Sequence, residues 1–277
     1  MKFLDKLLAA SRTQNSLLCV GLDPEPDRLP AQLHDMPAAR AITYFCRAII
    51  EATAAYVCAF KPNLAFFEVL GPEGMSVFQE VLQAIPGHIP VIVDAKRGDL
   101  GNTARNYAAA VFDVYACDAV TVNPYLGYDS VVPFLAYHEK GVILLCRTSN
   151  PSARDFQDLM VDSEDGDIRP LYEVVAQRVH SWNKVGNCGL VVGATYPQEL
   201  RTIRSMCPDM PILIPGVGAQ GGDLEASVVA GADAFGEKAI IAVSRAVLFA
   251  GKGADFATCA ANEARVLRNR INEVRKS

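Results

Sequence analysis

No stretch of the 277 residues is apolar and uncharged for the roughly 20 positions that a membrane-spanning helix requires. The apolar runs, such as Val142–Cys146, stop far short of that. Basic residues are not in excess: 26 Lys and Arg stand against 31 Asp and Glu, a net charge of −5. The balance gives no electrostatic footprint for nucleic acid or an anionic membrane, and neither is expected as a partner. The first ten residues carry Asp5 and Lys6 in their middle and lack the uninterrupted apolar core of a secretory leader. Their apolar spacing suits an amphipathic helix instead. None of the eight cysteines forms a CxxC pair, and neither they nor the four histidines cluster at zinc-ligand spacing. Most of the cysteines lie in apolar runs, as buried reduced thiols of a cytoplasmic protein would. His34, His88, His138 and His180 fall in loops or predicted helices and read as surface or capping groups. The one tryptophan, Trp182, lies on a predicted helix and reads as packing. What is plentiful is core material. The chain is 51% hydrophobic and 21% charged, which excludes a disordered chain, a coiled coil or a fibre.

One unit recurs along the chain: a short apolar run, a turn rich in Gly, Asp, Asn or Pro, then a longer amphipathic stretch. The apolar runs are 16–23, 57–62, 90–96, 119–124, 142–147, 189–194, 211–216 and 239–243. Helix-length stretches lie at 38–55, 73–85, 101–114, 131–140, 169–185, 197–206, 223–230 and 255–275. Continuous apolar runs suit parallel strands buried on both faces. Eight strand–helix alternations predict an α/β fold, a (β/α)8 barrel of the TIM type forming a single domain over residues 1–277. An open doubly wound sheet is the rival. Its dinucleotide-binding form needs GxGxxG after the first strand, where this chain reads Val20-Gly-Leu-Asp-Pro-Glu25.

In such a barrel, function sits at the C-terminal ends of the strands. The polar residues there are Asp23, Lys61, the trio Asp94, Lys96 and Asp99, then Asn123, the run Arg147–Asn150, and Ser244-Arg245. Asp94 and Lys96 are two apart, so an ideal strand points both to one face. Burying such a pair only for packing is costly. With Asp99 just beyond, two acids flank Lys96 and favour its ammonium form. Lys61 reads either as a solvated strand tip or as a site residue, and Asp23 either as a turn cap before Pro24 or as a group at the barrel mouth. Gly216-Val-Gly-Ala-Gln-Gly-Gly222 offers backbone N–H groups to an anion, with Asp223 opening the next helix and Arg245 adding a fork of donors. These glycines also suit tight turns alone.

Together these segments resemble the orotidine 5′-phosphate decarboxylase family, in its longer bacterial subfamily. The segment Asp94-Ala-Lys-Arg-Gly-Asp-Leu-Gly-Asn-Thr103 fits that family's Asp-x-Lys-x-x-Asp core followed by threonine. Val20-Gly-Leu-Asp23, Phe60-Lys-Pro-Asn63, Pro215–Asp223 and Ser244-Arg245 match in order and spacing. The resemblance implies conversion of orotidine 5′-phosphate to UMP and CO2 in pyrimidine biosynthesis, without metal or organic cofactor, by a homodimer with shared active sites. It implies that Lys96 protonates C6, that Asp94 sits beside the departing carboxylate, and that Asp99 and Thr103 reach into the partner's site. Asp23 and Lys61 would hold the ribose hydroxyls. Ser149 would meet the base edge, with Thr148 as its rival. Gln220 would bridge base and phosphate, Arg245 would grip the phosphate, and Pro215 and Ser244 would lie against the substrate. Ser244 stands where shorter members have glycine, Leu100 where isoleucine is common, and the segment Pro151–Ile168 is long and acidic.

The chemistry asks for the same residues independently. Decarboxylation at C6 leaves a carbanion that the ring delocalises poorly, and no electron-sink motif is evident. A fixed ammonium at that carbon meets the need. Sugar-phosphate synthases and decarboxylases of related barrels share the Asp-x-Lys-x-x-Asp core but use Mg2+. The set Lys61, Gln220 and Arg245 favours orotidine phosphate, and retention of both acids and the lysine disfavours a barrel that merely senses a sugar phosphate.

Overall fold

A computed structural model describes residues 1–163, 166–218 and 221–275. Ten strands form among them: β1 (Leu18–Leu22), β2 (Ala59–Pro62), β3 (Ile92–Arg97), β4 (Ala119–Val122), β5 (Gly141–Arg147), β6 (Met160–Asp162), β7 (Ile168–Pro170), β8 (Cys188–Val192), β9 (Ile212–Pro215) and β10 (Ala239–Val243). Eight of them pair in parallel in the order β2-β1-β10-β9-β8-β5-β4-β3. Two isolated bridges, Phe60 with Val91 and Asn63 with Asp94, join the outer strands and bring the sheet round into a barrel. All eight barrel strands fall within two residues of the apolar runs in the sequence.

The remaining pair, β6 and β7, is an antiparallel hairpin inside the long segment after β5. Here the expected helix from residue 169 starts late. Residues 168–170 pair as a strand, and the helix runs Leu171–Trp182. The other helices lie near their expected positions, although 101–114 is α-helical only to Ala109 and widens into a π turn over Ala110–Val114. The last helix, Phe256–Arg275, packs on β1 and on helix Ala38–Thr53, so it is an outer barrel helix and not an extension.

Strand alternation produces two apolar layers. Leu18, Val20 and Leu22 face the helices, while Cys19 joins Ala59, Ile92, Ala119, Ile143, Leu213 and Ile240 inside the barrel. The N-terminal helix Phe3–Gln14 closes the barrel floor with Phe3 and Leu7. Phe3 lies so close over Gly141 that any Cβ there would overlap its ring. Apolar side chains therefore fill the floor. Further along the same inward face, toward the C-terminal ends, come Lys61, Asp94, Thr121 and Pro215, and beyond Gly21 and Ala242 come Asp23 and Ser244.

Candidate active site

These inward positions open into a cavity of about 1450 Å3 at the C-terminal mouth. Its deep end is ionic. Lys61 Nζ lies 3.1 Å from one oxygen of Asp94 and 4.0 Å from Asp23, while Lys96 Nζ lies 2.6 Å from the other oxygen of Asp94. The Lys61 side chain is 6% exposed and that of Lys96 is 51% exposed. One lysine is thus locked in the wall, and the other stands at the opening. Two ammonium groups and two carboxylates balance, which offsets the cost of their burial.

The charge states follow from this packing. Burial opposes the ammonium of Lys61, but Asp23 and Asp94 outweigh it and raise its pKa above the ordinary lysine value. Burial would raise the Asp94 carboxyl, but Lys61 and Lys96 reverse the effect and hold it well below the usual carboxylate range. The lysine between two acids is therefore Lys61. The expectation that Asp94 and Asp99 flank Lys96 is not met within one chain. The carboxylate of Asp99 accepts the N–H of Leu100 at 2.7 Å, and neither Asp99 nor the exposed Thr103 lines the chain's own cavity.

β3 also departs from an ideal strand. Val93 pairs with Val120 and Arg97 with Val122, so Asp94, Ala95 and Lys96 together oppose Thr121 alone. The slack is taken up at Lys96, whose φ of 46° is left-handed. The Thr121 hydroxyl donates to Asp94 at 2.9 Å and accepts the N–H groups of Ala95 and Lys96, each at 3.0 Å. Sequence reasoning took Asn123 as the polar end of β4 and missed Thr121. The available signal was alternation: Thr121 stands two residues after Ala119, which faces the barrel interior.

On the opposite side, Pro215, Gly216, Val217, Ser244 and Arg245 line the cavity. Asp223 caps the next helix as expected, accepting the N–H of Ala226 at 2.9 Å. The glycine loop differs from an open anion cradle. The N–H groups of Gly218, Gly221 and Gly222 bond to carbonyls within the loop itself. Gln220, expected to bridge base and phosphate, lies outside the described residues.

After β5, Thr148 and Ser149 both line the cavity. The Thr148 hydroxyl is engaged twice, donating to Asn150 at 2.7 Å and accepting from Gln157 at 2.8 Å. Arg147 does not line the cavity. Pairing slips between Leu145 and Arg147, and the guanidinium is buried 3.8 Å over the ring of Tyr196, 3.0 Å from Asp158. It ties the inserted segment to the barrel. Trp182 does pack, with its ring centroid 5.2 Å from that of Tyr128, but it also lines the outer cavity, which the sequence did not suggest. All four histidines are exposed.

Residues 16–257 match the orotidine 5′-phosphate decarboxylase / HUMPS family. A protein of Dehalococcoides mccartyi named orotidine 5′-phosphate decarboxylase is 50% identical over 276 residues, covering 100% of this chain and 99% of its own. One of the same name from Ralstonia nicotianae is 51% identical over 278 residues, covering 99% of this chain and 100% of its own. The chain belongs to the orotidine 5′-phosphate decarboxylase / HUMPS family. Among solved structures, the OMP decarboxylase of Leishmania donovani superposes with a TM-score of 0.86 at 41% identity, covering 100% of both chains. The UMP synthase of the same organism matches with a TM-score of 0.88 at 43% identity; this chain, 99% covered, spans 57% of its length.

The departures from the decarboxylase pattern have local explanations. Ser244, in place of glycine, is accommodated because the facing residue on β1 is Gly21. Leu100, in place of isoleucine, is 57% exposed and carries no packing constraint within one chain. The acidic insertion builds the turn Pro151–Ala153, the short helix Arg154–Gln157 and the β6–β7 hairpin, with Phe156 and Gln157 on the cavity wall.

Proposed function

We infer that this chain is a decarboxylase of orotidine 5′-phosphate in UMP biosynthesis, acting from a single catalytic barrel by electrostatic stabilisation and proton donation from Lys96. The activity follows the family and its full-length relatives. The observation that carries the mechanism is the 2.6 Å pair of Lys96 and Asp94, in a cavity that Lys61 and Asp23 also line. The C6–carboxylate bond breaks, CO2 leaves, and its electron pair stays on C6. The Lys96 ammonium lowers the energy of that charge and then transfers its proton to C6. Asp94 lies beside the departing carboxylate.

Asp23 and Lys61 take the ribose hydroxyls, Arg245 with Ser244 and Pro215 takes the phosphate end, and Ser149 takes the base edge. The active unit is a homodimer in which Asp99 and Thr103 complete the partner's site. Supporting this, both residues miss their own cavity, and Leu100, Tyr125 and Leu126 are exposed apolar side chains near the mouth-side loops. Gly98 joins the two loops, a Cβ there coming 2.9 Å from the Asn123 carbonyl oxygen. Eight unpaired thiols, seven of them buried, support a cytoplasmic location. No helix among the described residues is long and apolar enough to cross a membrane.

The test is a spectrophotometric assay with orotidine 5′-phosphate, with and without EDTA. Substrate loss is expected in both conditions and is expected to vanish in Lys96→Ala while circular dichroism shows an intact fold. Substantial turnover by folded Lys96→Ala overturns the role of Lys96. EDTA-sensitive turnover points instead to the Mg2+-dependent relatives.

A further inference from the structure

We infer that Thr121 is a positioning residue of this site, its hydroxyl fixing both the Asp94 carboxylate and the left-handed backbone that aims Lys96. The inference rests on the roles given to Lys96 and Asp94 above and adds what holds them in place.

The argument starts from the register of β3. Three residues, Asp94 to Lys96, occupy the space opposite one residue of β4, so the N–H groups of Ala95 and Lys96 lose the regular ladder. Backbone N–H groups that leave a ladder need another acceptor, because an unpaired one is costly. Thr121 is 1% exposed and supplies one oxygen that accepts both N–H groups at 3.0 Å. A non-glycine residue at φ 46° is strained and persists only where its surroundings fix it. The two bonds to Thr121 do so.

The same hydroxyl has one hydrogen, and it points at Asp94 Oδ1 at 2.9 Å. Oδ1 also receives Lys96 Nζ, and Oδ2 receives Lys61 Nζ. The carboxylate is thus held by three donors from β2, β3 and β4, with no freedom to rotate between the two lysines. Because Lys96 is half exposed, its aim depends on Asp94 and on its own backbone. Thr121 controls both. A valine has nearly the same shape but neither accepts nor donates, whereas a serine keeps all three bonds.

The experiment compares Thr121→Val, Thr121→Ala and Thr121→Ser with the unaltered protein and with Lys96→Ala. Rates are normalised to the folded fraction from thermal melts. Thr121→Val is expected to lower kcat about 100-fold, the scale of a 1 Å misplacement of a reacting group. KM and UMP affinity should change less than about threefold, because Lys61 stays placed between Asp23 and Asp94 and Thr121 itself is assigned no ribose or phosphate contact. Thr121→Ser should recover at least about a third of kcat. If Thr121→Val does not fold, Thr121→Ala carries the comparison with Ser. Equal kcat for the serine and hydroxyl-free variants, with Lys96→Ala inactive, overturns the inference and leaves the role of Lys96 standing. A loss of KM and UMP affinity in step with kcat assigns Thr121 a merely structural role and also overturns it. An active, folded Lys96→Ala overturns the reading beneath it.

Discussion

Gly21 lies beside Ser244 on the neighbouring strand: a Cβ built on Gly21 would overlap the Ser244 hydroxyl and stand 3.1 Å from the Asp23 carboxylate. Two adjacent barrel strands therefore meet at the cavity with no space for a methyl group. Ser244 immediately precedes Arg245, so this contact sets where the proposed phosphate ligand begins.

Gly21→Ala is expected to push Ser244 outward and carry Arg245 with it. The overpacking should cost about 1–3 kcal/mol of stability. UMP affinity should fall more than uridine affinity, since the displaced residues belong to the phosphate end. Urea midpoints and calorimetric titration measure the two effects. Unchanged UMP binding would show that the Ser244 position does not govern the phosphate end.

Arg245→Ala should weaken UMP binding by about 2–4 kcal/mol, because a bound dianion loses its charged partner. Uridine, which has no phosphate, should be nearly unaffected. Equal losses for the two ligands would place Arg245 off the phosphate.

Acid stability should report Asp94. Its folded pKa lies below the unfolded value of about 3.9, so the ionised group stabilises the fold above that pH. The contribution is lost as pH falls from there toward the folded pKa. Across that interval unfolding takes up one extra proton, a slope of about 1.4 kcal/mol per pH unit. Asp94→Asn removes this proton uptake and should shallow the acid limb by that amount, with urea midpoints recorded from about pH 2.5 to 5. Parallel limbs for the two proteins would contradict the ion-pair geometry.

Mixing Lys96→Ala with Asp99→Ala, each inactive alone, should restore activity. In a mixed dimer one site takes Lys96 from one chain and Asp99 from the other. Random exchange at equal amounts leaves about a quarter of all sites intact. Native mass spectrometry establishes the exchange. Mixed dimers without activity would mean that Asp99 acts within its own chain.

The strand positions and the polar residues at their ends were legible in the chain, because burial on both faces leaves a continuous apolar run and each run stops where the chain meets solvent. Alternation of period two puts Asp23, Lys61 and Asp94 on one face with Cys19, Ala59 and Ile92, but only the closed sheet makes that face the interior and settles Asp23 and Lys61 as cavity residues. The runs and their alternation are local properties of the chain. Which charges meet depends on the closed barrel. Closing the sheet brought Lys61 of β2 against Asp94 of β3, 33 residues away, and made Lys61 the lysine held by two acids. A register slip opposite Thr121 gave Lys96 its left-handed backbone, and another after Leu145 took Arg147 out of the cavity lining. Slips of this kind arise from pairing between strands, where one strand fits more residues than its neighbour, and no single strand's pattern records its neighbour's register.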